Sequence, residues 1–399
     1  MELTNRRLIA VHGHDATHFL QGLTTNSVRS GQAGGSYSAF LNAHGRVLHD
    51  VFIYSAGHSK TYTESPSQGF GSVPQDPAYL IEVDAKEAGN LLKHLKRYKL
   101  RAKVSVAAVD QEEWSVWSVW DEGTPWTPHP SASASSGASI SGTGSGTGSG
   151  SGAGSGSNPL SGSPVGDNET IGCVDARAPG MGRRLVLRAG ARDPSASDVL
   201  GQMGVELQTP LSAYTIRRML RGVAEGQDEM LREVALPQEY NLDFMGGVDF
   251  KKGCYVGQEL TIRTHHTGVV RKRVLPVMLY GGRGGQAQPE RLVYEPRGGD
   301  WKMPPRGENI VPVEKGRVRS AGKWIGGVGN VGLAVCRLEM MTDMVLTGED
   351  TRWRPEDEFK TKWVDGGGDG TEEEVRIKAF VPDWIRGQIK VRNPQRRVE

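Results

Sequence analysis

The sequence predicts an α+β protein whose chain ends in an antiparallel β-barrel. Helical and strand patterns alternate up to about residue 270, which favours layered helices and sheets. From Val269 onward, short strand patterns separated by glycine turns dominate, and this is typical of a small barrel. The chain of 399 residues is long enough for two or three domains with their own cores.

The first predicted region, residues 1–130, has an α+β pattern. Asp15 is a candidate N-cap for a helix with Leu20 on its apolar side. Residues 37–54 predict two strands joined at the turn 42–45.

Further strands are predicted at 79–83, 104–109 and 114–120. Between the first two, Asp84 and Glu87 have the spacing of a capping box, which predicts the start of a second helix.

Residues 131–163 are almost entirely Ser and Gly. Such a segment cannot bury enough apolar surface to offset its chain entropy, so we expect a disordered insertion. The α+β region is predicted to resume over 164–270 and to end in a KGCYVGQE motif.

Within that second part, Thr209 is expected to cap a helix that Gly226 ends. Three arginines, at positions 217, 218 and 221, are predicted to lie toward its outer side. The predicted barrel covers 271–399, with a Gly-rich insertion at 281–307 and an acidic one at 347–374.

Composition excludes several classes of function. The formal charge of +2 gives no electrostatic case for binding nucleic acid, and no apolar run is long enough to span a membrane. Three widely spaced cysteines are no disulfide framework and fit a reducing compartment. A core-like pattern begins almost at Met1, so we expect no targeting peptide within this chain.

The most informative stretch is Lys251 to Thr264, KKGCYVGQELTIRT. Cations at Lys251, Lys252 and Arg263 are expected to favour the thiolate form of a cysteine placed among them. Two glycines in the stretch allow a sharp turn or a close approach to a ligand. A lone cysteine is more often a small buried apolar residue, but apolar packing requires neither the lysines nor the glycines.

This motif, KGCYVGQE, resembles the YgfZ-type proteins, which are folate-binding relatives of the glycine-cleavage T-protein. Two further regions agree: LIAVHGHDATHFLQGLTTN with AFLNAHGRVLHDVFIY near the N-terminus, and GNVGLAVCRL with VRIKAFVPDWI in the tail. The resemblance implies a T-protein-like folate-binding fold, in which two α+β N-terminal domains and the C-terminal antiparallel β-barrel form a ring. It also implies a central hole that holds tetrahydrofolate or is a remnant of that pocket.

By this resemblance, a set of residues is expected to contact a folate-like molecule. A carboxylate at Glu259 suits the donor edge of a pterin ring, Tyr255 could stack on the ring, and Arg263 could meet the glutamate tail. The alternatives are a solvated strand-end pair for Gln258 and Glu259, packing for Tyr255 and a local ion pair for Arg263. The full expected set is Asn26, Asn42, Asp50, Lys252, Gly253, Tyr255, Gly257, Gln258, Glu259 and Arg263.

Mitochondrial members of the resembled family are iron–sulfur cluster assembly factors, which implies a matrix location and A-type scaffold partners that mature four-iron clusters. Cys254 would then be a metal ligand. One thiolate cannot hold an iron–sulfur cluster, which needs about four ligands, so any cluster at Cys254 must be shared with a partner.

The alternative function is a tetrahydrofolate-dependent aminomethyl- or methyltransferase with Asp50 as its catalytic carboxylate. T-proteins have two adjacent acids where this chain has His49-Asp50, and imidazole does not replace a carboxylate beside the reacting nitrogen. The departure weakens this interpretation. A third class, an RNA-modification adaptor, is supported only by associations of the wider family. His265 and His266, expected on a strand, are interpreted as ordinary polar residues.

Overall fold

A computed structural model describes most of the chain in ten stretches. These are residues 1–29, 34–63, 76–120, 171–188, 210–281, 287–296, 302–314, 320–346, 353–364 and 372–389. The predicted Ser/Gly insertion at 131–163 lies outside them, as do parts of the insertions predicted at 281–307 and 347–374.

The N-terminal part forms a five-stranded antiparallel sheet in the order β2-β3-β4-β1-β5. Its strands are β1 (Arg6–His12), β2 (Gly34–Leu41), β3 (Val47–Ser55), β4 (Ala78–Asp84) and β5 (Ser105–Ala108). The hairpin of β2 and β3 turns where the sequence predicts it, because the amide of Asn42 donates to the carbonyl of Arg46.

Helices α1 (Ala16–Gln21) and α3 (Ala88–Tyr98) cover one face of this sheet; a short helix, α2 (Lys60–Thr63), follows β3. Residues alternate between the two faces of a strand. Ile9 and Val11 of β1 accordingly join the helix-side core, whereas Leu8 and Ala10 join the core on the opposite face.

The opposite face packs against a second unit. This unit has a three-stranded sheet in the order β6-β8-β7 and the helix α4 (Ser212–Leu220). Its strands are β6 (Trp114–Val119), β7 (Ile171–Val174) and β8 (Arg183–Arg188). Met1 reaches this sheet, because its terminal ammonium donates to the carbonyl of Ser118 at 3.1 Å.

The C-terminal part is a closed six-stranded barrel in the order β10-β11-β12-β9-β14-β13, so the prediction of an antiparallel barrel is confirmed. The strands are β9 (Lys272–Tyr280), β10 (Asn309–Pro312), β11 (Gly322–Val328), β12 (Val331–Arg337), β13 (Phe359–Val364) and β14 (Glu372–Ala379). Helix α5 (Gln258–Thr267) precedes the barrel, and the short helices α6 (Leu338–Met341) and α7 (Asp383–Arg386) accompany it.

Three local predictions are wrong. Residues 258–267 are helical where a strand was expected, so the two adjacent histidines lie on helix α5. Helix α4 ends at Leu220, six residues before the predicted Gly226, because Gly222 takes the left-handed backbone with φ +74°. Asp84 is the last residue of β4 rather than a helix cap, and α3 begins without a side-chain cap.

Candidate functional site

The loop before helix α5 exposes one thiol. Cys254 is exposed, whereas Cys173 and Cys336 are both buried in the larger core. Burial raises the pKa of both of those thiols far above the usual value. Of the three sulfurs, only Cys254 is therefore placed to reach a partner or a metal.

Lys252 fastens this loop to the N-terminal region. Its ammonium donates to the backbone carbonyls of Gln21 at 2.9 Å, Thr24 at 2.5 Å and Asn26 at 2.9 Å. Burial lowers the pKa of Lys252 to about 8, while Asp249 opposes the shift. Lys252 thus has a structural role, and its charge is directed at carbonyl oxygens.

Gly257 makes the turn into α5 possible. Its φ of +79° lies in the left-handed region that favours glycine, and an added Cβ would lie 2.2 Å from the carbonyl oxygen of Asn42. Asn42 is itself a turn residue, because its side-chain oxygen accepts from the amides of His44 and Arg46, each at 3.0 Å. The β2–β3 turn and the start of α5 are therefore in direct contact.

Two further predicted residues make local contacts in the same loop. The Tyr255 amide donates to the side-chain oxygen of Gln258 at 3.2 Å. The Tyr255 ring is buried, and the Lys252 ammonium lies 5.0 Å from its centre. Burial raises the pKa of Tyr255 to about 12. Both side chains support the fold of the loop that presents Cys254.

Asn26 joins the loop from the other side. Its side-chain amide donates to the carbonyls of Tyr37 at 2.9 Å and Gly246 at 2.7 Å. Its own carbonyl accepts from Lys252, as described above. The asparagine is therefore engaged in holding β2, the 246 region and the cysteine loop together.

The remaining predicted contacts lie on the outside of this loop and helix. Gly253, Glu259 and Arg263 are exposed, and a Cβ added to Gly253 would meet nothing within 4 Å. His265, in the last turn of α5, stacks on the ring of Phe250 with centroids 3.6 Å apart. The structure thus leaves Glu259 and Arg263 beside solvent.

Asp50 belongs to a buried cluster of charges between the two N-terminal sheets, and its carboxylate contacts Arg6 and the Gly226 amide rather than the cysteine loop. The cluster comprises Arg6, Arg177, Arg184, Arg218, Asp50, Glu82, Asp175, Glu225 and Glu229. Glu82 accepts from Arg6 and from Arg184, each at 2.8 Å. Glu225 accepts from Arg177 at 2.7 Å and from the Tyr214 hydroxyl at 2.6 Å.

The arginines of α4 contradict their predicted position. Arg217 and Arg218 are buried, and Arg218 forms two hydrogen bonds with Glu229 at 2.8 and 2.9 Å. Arg217 donates to the Gly180 carbonyl. Because these partners come from other parts of the chain, local spacing could not show them.

Within this charge cluster, Asp50 has the weakest compensation. Its carboxylate accepts from the Gly226 amide at 3.0 Å, and its other oxygen lies 3.7 Å from Arg6, beyond hydrogen-bond range. Burial raises the pKa of Asp50, Arg6 opposes the shift and Glu225 adds to it. Asp50 is 0% exposed, so solvent does not reach the carboxylate.

The neighbouring His49 is buried on the helix side of the sheet. Neither ring nitrogen has a hydrogen-bond partner among the described residues, and its Nδ1 lies 3.7 Å from the Glu87 carboxylate. Burial lowers the pKa of His49 to about 3, and the nearby Arg232 and His94 lower it further. The imidazole is therefore neutral at physiological pH.

The predicted site residues therefore divide into three groups. Asn26, Asn42, Lys252, Tyr255, Gly257 and Gln258 build the loop that presents Cys254. Gly253 in the loop and Glu259 and Arg263 on α5 face solvent, and Asp50 belongs to the buried charges. Sequence reasoning missed that cluster because each arginine, taken alone, is typical of a surface residue.

Comparisons with known proteins agree with this architecture. The family model for the CAF17 C-terminal beta-barrel domain matches residues 271–387. The iron–sulfur cluster assembly factor IBA57 homolog of Aspergillus fumigatus, named mitochondrial, is 45% identical over 100% of this chain and 84% of its own length. The homologs of Coccidioides immitis and Neurospora crassa are 42% and 39% identical, over 98% and 96% of this chain and 83% and 80% of theirs.

A solved structure shares the fold. The glycine cleavage system aminomethyltransferase T of Bartonella henselae superposes with a TM-score of 0.54 at 11% identity, covering 98% of this chain and 86% of that one. This likeness confirms the T-protein-like fold class. None of the helices within the described stretches is both long and apolar enough to cross a bilayer.

Proposed function

The chain belongs to the IBA57 family of mitochondrial iron–sulfur cluster assembly factors, and from this premise we propose that Cys254 is the thiolate through which it shares a cluster with a partner. The exposure of this sulfur carries the proposal, because the other two cysteines are buried in the larger core. Its loop is fixed by Lys252 and Gly257, so the thiol is presented from an ordered position.

The ligand count supports a shared cluster. Iron–sulfur clusters of the two- and four-iron types use about four protein ligands. Among the described residues, no group of three His, Cys, Asp or Glu side chains is arranged to hold a metal ion. We therefore propose that an A-type scaffold protein in the mitochondrial matrix brings the other thiolates, and that the shared cargo is a four-iron cluster.

Tetrahydrofolate binding is a second part of the proposal. Glu259 and Arg263 are accessible on α5, whereas Asn26 and Asn42 are engaged in hydrogen bonds within the protein. Folate contacts would then come mainly from the two α5 side chains. Fluorescence titration with tetrahydrofolate tests this: Glu259→Gln should weaken binding, and an unchanged affinity would remove Glu259 from the folate site.

Enzymatic one-carbon transfer is less well supported than the assembly function. A carboxylate that assists such a transfer must come within hydrogen-bond reach of the reacting nitrogen. Asp50 is enclosed between Arg6 and the Gly226 amide, and solvent does not reach it. We therefore propose a non-enzymatic role, in which Asp50 is a buried member of the charge cluster.

The main test is reconstitution of the full chain with an A-type scaffold, iron and sulfide. The mixed complex should develop the visible absorbance of an iron–sulfur chromophore. Cys254→Ala should abolish the share of the cluster held by this chain while its unfolding curve stays unchanged, because the side chain is exposed. Cys173→Ala is the matched control, since it removes a buried thiol and should leave the chromophore intact. A full chromophore in the Cys254→Ala complex would refute the ligand role.

A further inference from the structure

A cavity of about 280 Å³ lies against helix α5. Leu260 and Thr264 of this helix line the cavity, whereas Glu259 and Arg263 do not. Its volume is just below the range of about 300–1,000 Å³ that holds drug-sized ligands, so it suits a small molecule. Apolar side chains from three segments line it: Leu236, Pro237, Leu260, Val269 and Val270.

The cavity is also positively charged. Lys272 is compensated by Glu239, whose carboxylate lies 3.6 Å from its ammonium. Arg271 and Arg337 also line the cavity, and neither has a carboxylate partner within the described part of the chain; Arg337 donates through Nε to the Ser320 carbonyl. Guanidinium groups bind carboxylates in a paired geometry, so two uncompensated arginines favour an anionic ligand.

We propose that this cavity binds a small monocarboxylate with a short branched or aromatic body. The apolar body lies against Leu236, Pro237 and Leu260. The carboxylate binds the guanidinium groups of Arg271 and Arg337. This site is separate from the cluster function of Cys254 and does not depend on it.

The test is calorimetric titration of the full chain with phenylacetate and with phenylacetamide, which has nearly the same shape but no charge. Phenylacetate should bind at least about tenfold more tightly, which corresponds to about 1.4 kcal/mol. Arg271→Gln should reduce the affinity for phenylacetate by about tenfold and leave that for phenylacetamide unchanged. Arg97→Gln, which removes an exposed arginine on α3, is the matched control and should change neither.

Equal affinities for the acid and the amide, an unaffected Arg271→Gln variant, or no binding heat at millimolar phenylacetate would each overturn the proposal.

Discussion

Lys252→Met is the substitution that most directly tests how the cysteine loop is held. Methionine keeps an unbranched apolar stem but removes the ammonium that donates to the carbonyls of Gln21, Thr24 and Asn26. The variant should therefore separate the loop from the N-terminal region while leaving the thiol itself unchanged.

The magnitude follows from these three contacts. A hydrogen bond to a charged group contributes about 1.5–3 kcal/mol net. The three share one ammonium, and its burial is unfavourable, as its lowered pKa of about 8 indicates. The Asn26 carbonyl also keeps a second donor, the Thr24 hydroxyl at 3.2 Å. We therefore expect a loss of about 2–4 kcal/mol in unfolding free energy rather than the full sum.

Two measurements check this expectation. Urea unfolding followed by tryptophan fluorescence gives the change in stability. Hydrogen exchange at the Val256 amide, which donates to the Gly22 carbonyl at 3.1 Å, reports opening of the loop and should accelerate. Lys251→Met is the matched control, because that lysine is exposed and should change stability by less than about 0.5 kcal/mol. If both variants unfold at the same urea concentration, the ammonium does not hold the loop.

Three further substitutions test the buried charges and the turn. Glu225→Gln should destabilise the protein by about 3–5 kcal/mol in urea unfolding, because it leaves buried arginines uncompensated. Burial alone would raise the pKa of Glu225, but the surrounding arginines outweigh burial and hold that pKa well below its usual range. The stability that Glu225 contributes is therefore present above its ordinary pKa, and it is lost as pH falls through the lower pKa of the folded protein. Asp50→Asn should lower the free energy of unfolding by less than about 1 kcal/mol at neutral pH. Because the pKa of Asp50 is raised in the folded protein, the parent loses stability as pH rises through that pKa, and the variant should become more stable relative to it. A loss as large as that of Glu225→Gln would contradict this. Gly257→Ala should lower the free energy of unfolding in urea, followed by circular dichroism, by about 1–3 kcal/mol, because φ is +79° and the added Cβ would lie against the Asn42 oxygen. Gly253→Ala, with open space around it, should leave that free energy nearly unchanged.

Patterns set by neighbouring residues predicted the sheets well. The hairpin of β2 and β3 and the glycine-turned strands of the barrel follow from alternation and turn chemistry within a few residues. Cys254 was singled out in the sequence because its flanking lysines and glycines are visible there, and its role as a metal ligand stays a prediction. The exposure of the sulfur agrees with that interpretation.

Other features depend on residues far apart in the chain. The segment QELTIRTHHT contains several strand-favouring residues and has no clear apolar stripe, yet it is helical because Gly257 turns the chain against Asn42. Arg218 is buried because Glu229, eleven residues further on, lies beside it. Neither partner is indicated by local periodicity, which explains why a strand and a solvated arginine were predicted.

Contacts between distant parts of the chain also hold the loop that carries Cys254 in place. A thiol offered to another protein's cluster must be exposed, yet it must keep a fixed position to complete a ligand set. Exposure removes packing around Cys254 itself, so its position has to be fixed by neighbouring residues. Lys252 anchors the loop to the N-terminal region and Gly257 to the β2–β3 turn, while α5 continues into the barrel. The position of this one exposed atom is therefore fixed by contacts with the N-terminal region and by helix α5, and weakening an anchor should impair cluster sharing even where the thiol remains.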